Sequence, residues 1–314
     1  MNRGLVLEDE FARAVCAGLR RPGQKTLPCR YFYDAAGSAL FDAITQLPEY
    51  GVTRAEARVI DQYAPCIAAS MRPSPLVVEL GSGSGAKTRR ILQATGRVTY
   101  CPIDVSPSAL AQCERSLSDL ADVVPIEGSY LDGLRAASVR RSDGDQILLL
   151  FLGSTIGNFE PEAALEFLYA IRRELAAGDA LLLGTDMVKP VRRLIDAYDD
   201  PTGVTAAFNR NLLGRINREL DADFDLRRFD HVVRYDAEAQ RIEMHLRSLQ
   251  SQQVRIRLAG LTVRMEAGET IHTESCHKFR PEQIAELARA GGFRVESQWT
   301  DHEWGFTESL LRAA

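Results

Sequence analysis

Apolar residues along this chain gather into short runs separated by stretches of helical spacing. Leu76-Val77-Val78-Glu79-Leu80 is one such run, and Ile147-Leu148-Leu149-Leu150-Phe151 is the most apolar. Runs this short and this continuous predict parallel strands buried on both faces, here over 76–80 and 146–152. Further strands are predicted over 98–103, ending at Asp104, over 123–126 and over 180–184. Between them, 88–94, 110–117 and 161–175 carry apolar residues at helical spacing. Ser106-Pro107 adds an N-cap followed by a proline at the first helical position. Strand alternating with helix predicts an α/β fold with a doubly wound, mainly parallel sheet, whose ligands lie beyond the carboxyl ends of the strands.

After Asp186 the pattern changes. Segments 191–198 and 205–220 read as helices, whereas 232–235, 241–248 and 254–261 alternate like antiparallel strands. A helix over 281–290 and strands over 293–300 and 309–312 then return to the earlier pattern and are expected to complete its sheet. The irregular block therefore reads as an insertion. The first fifty or so residues are helical and aromatic-rich around Tyr31-Phe32-Tyr33-Asp34.

Composition narrows the function classes. With 314 residues, 45% of them apolar, the chain can bury a sizeable core. No apolar run approaches the length of a membrane span and no secretory leader pattern is visible, so a soluble, cytoplasmic protein is expected. Cys16, Cys29, Cys66, Cys101, Cys113 and Cys276 are scattered without a Cys-x-x-Cys pair, which predicts free thiols and no zinc ribbon. A formal net charge of -5, with basic and acidic residues intermixed, offers no face for a nucleic-acid backbone.

The chemistry concentrates after the strand ends. Gly81-Ser82-Gly83-Ser84-Gly85 follows the first strand and precedes a helix, and its alternate glycines leave the backbone free for positive φ and for close approach of a ligand. The spacing matches neither the dinucleotide fingerprint nor a phosphate-binding P-loop. Glu79 ahead of it favours S-adenosylmethionine; the alternative is an ordinary strand-to-helix turn. Asp104, about twenty residues on, is placed to accept hydrogen bonds from two ribose hydroxyls, and Lys87 can face the methionine carboxylate or simply solvent. Phe151-Leu152-Gly153-Ser154-Thr155-Ile156-Gly157-Asn158-Phe159 follows the fourth strand, where Asn158 offers an amide that both donates and accepts, or else caps the helix ahead of Pro161. His272-Thr273-Glu274-Ser275-Cys276-His277 has the look of a metal cluster, but on an extended segment Glu274 and Cys276 point together while His277 points away, so no metal site is expected. Glu274 reads instead as a recognition carboxylate. No Gly-x-Ser-x-Gly elbow or nucleophile triad is present.

Several motifs together resemble one family. They are Tyr33-Asp34-Ala35-Ala36-Gly37-Ser38 with Leu40-Phe41, Leu47-Pro48-Glu49-Tyr50, Glu79-Leu80-Gly81-Ser82-Gly83, the segment from Phe151 to Asn158, Leu183-Gly184-Thr185-Asp186, and Ala206-Ala207-Phe208-Asn209-Arg210-Asn211. They resemble the histidine-specific Nα-methyltransferases of ergothioneine biosynthesis, and the match covers nearly the whole chain. The resemblance implies a class I methyltransferase sheet over 52–190 and 278–314, binding S-adenosylmethionine. It also implies a second, smaller α+β substrate domain formed by 1–51 and 191–277, acting as a lid. A monomer that methylates the α-amine of L-histidine three times, giving hercynine, follows from it. Carried over residue by residue, Tyr50, Asn158, Tyr198 and Met244 match substrate-binding positions, Tyr33 lies beside the amine, and Glu274 holds the imidazole. Gly81, Gly83, Lys87, Asp104, Ser129, Tyr130 and Gly153 fall on the cofactor side. Three departures stand out: Gly51-Val52-Thr53-Arg54 where the family usually has Tyr-Pro-Thr-Arg, Gly128-Ser129-Tyr130 where it often has Asp toward the adenine, and Cys276 where it usually has serine. Gly51, Val52 and Cys276 leave open another amino acid, such as an aromatic one, as substrate. A non-catalytic adenosyl-ligand-binding protein is the alternative of another class.

Overall fold

Leu76–Leu80 and Ile147–Phe151 are strands in which every side chain is buried, as runs that must shed water on both faces require. Around them the computed structural model, which describes residues 3–142 and 144–314, builds an eight-stranded sheet. The order is Phe293–Asp301, Phe306–Ala313, Ala180–Asp186, Ile147–Phe151, Leu76–Leu80, Thr99–Asp104 and Asp122–Val123, with Ile126–Glu127 also pairing with Thr99–Asp104. Pairing is parallel from Ala180–Asp186 through Thr99–Asp104 and antiparallel where Phe306–Ala313 joins. Helices cover both faces. Ile60, Ala64 and Ile67 of Val52–Ala69 fill one core with Ile91, Leu92, Cys113 and Leu117. Leu134 and Ala137 of Tyr130–Ser138, with Phe167, Leu168 and Ile171 of Pro161–Glu174, fill the other. Leu76–Leu80 lies between Thr99–Asp104 on one side and Ile147–Phe151 on the other, so the carboxyl ends of Leu76–Leu80 and Ile147–Phe151 flank a topological switch point.

The chain divides into two compact units, Val52–Val188 with His277–Ala314 and Met1–Gly51 with Lys189–Cys276. Residues 1, 2 and 143, which fall within the spans expected for the two domains, lie outside the described residues. The first unit holds the large sheet. In the second, a sheet ordered Lys25–Thr26, Thr270–His277, Arg241–Ser248 and Phe229–Asp236 joins the helices Arg3–Leu19, Ala35–Thr45, Val191–Tyr198 and Val204–Leu220. A separate hairpin pairs Gln252–Ile256 with Leu261–Met265.

Two expectations need correction. The strand expected over 123–126 is two short strands, Asp122–Val123 and Ile126–Glu127, because Pro125 between them has no amide hydrogen to offer the ladder. The strand expected over 254–261 is the end of one strand and the start of another: Gly260, at φ +58°, turns the chain between them and leaves Leu258 exposed. Tyr130–Ser138, for which the sequence pattern predicted no element, is a helix whose N-cap is Ser129. Its signal, Ser129 followed three residues later by Asp132, was present in the sequence. Trp304 is buried and donates Nε1–H to Asp186 at 3.0 Å, whereas Trp299 stacks on Tyr63, so both tryptophans serve packing.

Candidate functional site

The turn after Leu76–Leu80 takes its shape from its glycines. Gly81, Gly83 and Gly85 have φ of +71°, +51° and +70°, a region L side chains avoid. A Cβ on Gly81 would lie 3.1 Å from the Tyr130 hydroxyl, and one on Gly85 would strike Cys113 and Leu117, whereas Gly83 faces open space. Glu79 points away from that space. Its carboxyl is buried, accepts the Thr88 hydroxyl at 2.6 Å and receives the Tyr100 hydroxyl, tying both ends of the turn to the neighbouring strand. Burial pushes this carboxyl up to about 7, against the pull of those two hydroxyls. Asp104 ends the adjacent strand. One of its oxygens accepts Gly83 N–H at 3.1 Å and the other accepts Ser106 N–H at 2.9 Å. An ionised carboxylate has about four lone-pair sites, so Asp104 keeps capacity for a pair of hydroxyls. An open glycine turn beside such a carboxylate fits a nucleoside cofactor.

The loop after Ile147–Phe151 lies across the same switch point. Gly153 and Ser154 are both left-handed, at φ +76° and +61°. Strain at a non-glycine residue persists only where neighbours hold it, and here the Ser154 hydroxyl accepts Asp186 N–H at 2.9 Å. Gly153 N–H donates to Glu56 at 2.5 Å, and Lys87, half-buried, pairs with the same carboxylate at 2.5 Å. Burial works against the Lys87 charge, but Glu56 outweighs it and raises the ammonium above its ordinary value. Asn158 closes the short helical turn Thr155–Asn158 and lies half-buried. It does not cap the next helix, because Glu160 occupies that position. Ser129 spends its hydroxyl on Asp132, while Tyr130 leans over Gly81 and packs edge-on to Phe151.

In the second unit the predicted tyrosines form one aromatic chain. Tyr198 meets Tyr50 at 6.3 Å between ring centroids, Tyr50 meets Phe41 at 6.3 Å, and Phe41 meets Tyr33 at 5.6 Å, all edge-on. The motifs around them are framework. Asp34 caps helix Ala35–Thr45 by accepting Gly37 N–H at 2.7 Å and accepts Asn211 Nδ2 at 2.8 Å. A Cβ on Gly37 would overlap the Phe32 carbonyl. Asn209, fully buried, donates Nδ2 to His231 Nδ1 at 2.8 Å and to the His245 carbonyl at 3.1 Å. His231 then donates Nε2–H to the Tyr198 carbonyl at 2.8 Å, the neutral tautomer that both partners require. Burial lowers the His231 imidazole below its ordinary value.

Glu274 and Cys276 lie on Thr270–His277, and Met244, buried, on Arg241–Ser248, joined where the Thr273 hydroxyl donates to the Met244 carbonyl at 3.0 Å. His277, the first residue back in the large-sheet unit, lies 3.6 Å from Glu160 of that same unit, and no metal-binding group of His, Cys, Asp or Glu exists among the described residues. One neighbour escaped the sequence reading. Burial, Glu274 and Cys276 together push the Cys29 thiol up to about 12, so all three groups lie close. The parallel register Thr26↔His272 brings Cys29 there, and nothing local to Leu27-Pro28-Cys29 announces it. The six cysteines are free, and no described helix is long and apolar enough to cross a membrane.

A doubly wound sheet with a glycine turn and a strand-end carboxylate at its switch point defines an α/β protein built to bind a nucleoside cofactor, of the class I methyltransferase kind. A family model described as histidine-specific, SAM-dependent methyltransferase matches residues 11–313. The chain is 45% identical over 306 residues to a histidine N-alpha-methyltransferase of Mycobacterium tuberculosis, covering 95% of this chain and 93% of that protein. It is 44% identical over 311 residues to a protein of the same name from Mycolicibacterium smegmatis, covering 96% and 94%. To ergothioneine biosynthesis protein 1 of Neurospora crassa it is 28% identical over 299 residues, covering 91% of this chain and 33% of that one. The chain belongs to the histidine-specific, S-adenosylmethionine-dependent methyltransferase family.

Proposed function

We propose that the protein transfers methyl groups from S-adenosylmethionine to the α-amine of free L-histidine, three times in succession, giving hercynine for ergothioneine biosynthesis. It acts in this reading as a cytoplasmic monomer. The observation that carries the reading is family membership across 11–313 together with Tyr50, Asn158, Tyr198 and Glu274 at the positions expected for substrate recognition.

When bound, S-adenosylmethionine supplies an electrophilic methyl group. Asp104 holds its ribose hydroxyls, Lys87 its carboxylate, and Gly81, Gly83, Gly153, Ser129 and Tyr130 line its path. Asn158 and the Tyr198 hydroxyl grip the α-carboxylate of histidine, and Glu274 accepts the imidazole N–H. Tyr50, Met244 and Cys276 bound the remaining pocket. The amine must be neutral to attack, so a proton leaves before each transfer, passing to solvent directly or relayed through the Tyr33 hydroxyl, which gives up its own proton as it accepts one. Positioning supplies most of the acceleration. As methyl groups accumulate the amine becomes a permanent cation, and the tyrosine ring faces attract such a charge without needing to donate to it.

Mass spectrometry after incubation with mixed free amino acids and S-adenosylmethionine tests the substrate: trimethylated histidine is expected, and a methylated aromatic amino acid in its place would overturn it. A radiolabelled methyl-transfer assay separates this enzyme from a protein that only binds the cofactor. Asn158→Ala is expected to cut turnover about a hundredfold, the scale of a misplaced reactant, and unchanged turnover would remove Asn158 from the mechanism.

A further inference from the structure

Glu308 lies on strand Phe306–Ala313, fully buried, and neither of its oxygens has a hydrogen-bond donor among the described residues. An ionised carboxylate in that state would be costly. What faces it is another carboxyl. A Cβ built on Gly184, its cross-strand partner, would lie 2.9 Å from Glu56 Oε1 and 3.1 Å from Glu308 Oε1, so the two oxygens converge over a position that only glycine leaves open. Glu56, on helix Val52–Ala69, is fully buried as well, and it holds both Lys87 and Gly153 N–H. Three carboxyls thus surround one ammonium: Glu56, Glu308, and Glu79 on Leu76–Leu80.

Charge counting decides the protonation. With every group ionised, the cluster would carry excess negative charge beside the turn where an anionic ligand carboxylate must arrive. With a proton on Glu308, the Glu56, Glu308 and Lys87 set is neutral, and Glu308 can donate to Glu56. Burial and the neighbouring Glu56 charge both hold the Glu308 carboxyl well above the usual carboxylate range.

We propose that Glu56 and Glu308 form a carboxyl pair sharing one proton, in which Glu56 is a positioning residue that sets Lys87 and the Gly153 amide for the amino-acid end of the cofactor. This rests on the cofactor assignment proposed above. Glu56 orients, Glu308 tempers its charge, and Gly184 makes room for both.

The test titrates S-adenosylhomocysteine into the full-length protein by calorimetry and follows thermal unfolding from pH 5 to pH 8. Glu56→Gln is expected to weaken binding about tenfold, the worth of a charge-assisted hydrogen bond. Glu308→Ala weakens it about fivefold, and Glu308→Gln, which can still donate to Glu56, restores it to within about twofold of wild type. Gly184→Ala weakens binding by displacing both carboxyls. Because the folded-state Glu308 holds its proton above the ordinary value of 4.5, its contribution to stability is complete below 4.5 and is lost as pH rises. The melting temperature of Glu308→Gln should therefore gain on wild type steadily from pH 5 to pH 8. A flat difference, or wild-type affinity in Glu56→Gln, would overturn the inference. If Glu56→Gln does not fold, the Glu308 pair and Gly184→Ala decide it. Wild-type protein that bound no S-adenosylhomocysteine would overturn the proposed function, and with it this inference; binding in wild type that the variants match would overturn this inference alone.

Discussion

The two units solve the burial of polar groups in opposite ways. In the unit with the large sheet, the groups beneath the glycine turn are ionisable and near one another: Glu56, Glu79, Glu308 and Lys87. In the other unit, the groups that hold the Tyr198 backbone are neutral, the amide of Asn209 and the imidazole of His231. A fixed cofactor charge can be met by a tuned cluster of charges. A substrate whose amine passes from neutral to permanently cationic is better framed by neutral groups, whose hydrogen bonds do not change as the charge grows. The two frames also respond to acid with opposite sign. Glu79, raised to about 7, contributes stability that is complete below 4.5 and lost as pH climbs toward 7. His231 and His245, both lowered by burial, contribute stability that is complete above 6.5 and lost as pH falls below it.

The contrast can be broken or sharpened by substitution. The largest kinetic effect is expected at Glu274, where replacement by alanine removes a hydrogen-bond acceptor and should raise KM for histidine about a hundredfold. Affinity for S-adenosylhomocysteine should move less than about twofold, because the proposed function places Glu274 against the substrate and not the cofactor; equal losses in both would dissolve the division of labour. Replacing Glu79 by Gln should flatten the loss of stability between pH 4.5 and 7, worth on the order of 3 kcal/mol from its shift to about 7. Urea melts at both pH values decide this, and an unchanged pH slope counts against a protonated Glu79. Asn209→Leu strands His231 Nδ1 and the His245 carbonyl and should cost about 2 kcal/mol. Its KM for histidine should rise through Tyr198 while the cofactor titration stays put, a split that steady-state kinetics would reveal. The smallest effect belongs to Cys276→Ser, which puts a stronger hydrogen-bond partner beside Glu274 and should lower KM for histidine about threefold. A higher KM would show that the pocket is fitted to sulfur.

Much of the large sheet was legible because its strands are buried on both faces, so residue type alone marks them. Gly81, Gly83 and Asp104 were legible for a related reason: positive φ and a strand-end carboxylate are local demands. The strand expected over 254–261 failed where alternation continued across Gly260, since a period of two survives a tight turn. Ser129 shows a subtler limit: the family resemblance sets it on the cofactor side, and only the structure shows its hydroxyl engaged with Asp132 at a helix cap.

Residue identity by itself determined where the backbone must bend, which runs must be buried, and which motifs mark the methyltransferase family, because each is a constraint on neighbours along the chain. Only the tertiary structure decided that Phe41 links Tyr33 to Tyr50, that His231 holds the Tyr198 carbonyl, and that Glu56 meets Glu308 over Gly184. Tyr198 and His231, and Glu56 and Glu308, stand far apart in sequence, and nothing local to Glu56 or Glu308 distinguishes a solvated glutamate from a buried one. Strand order and helix packing bring them together, and burial then gives them their chemistry.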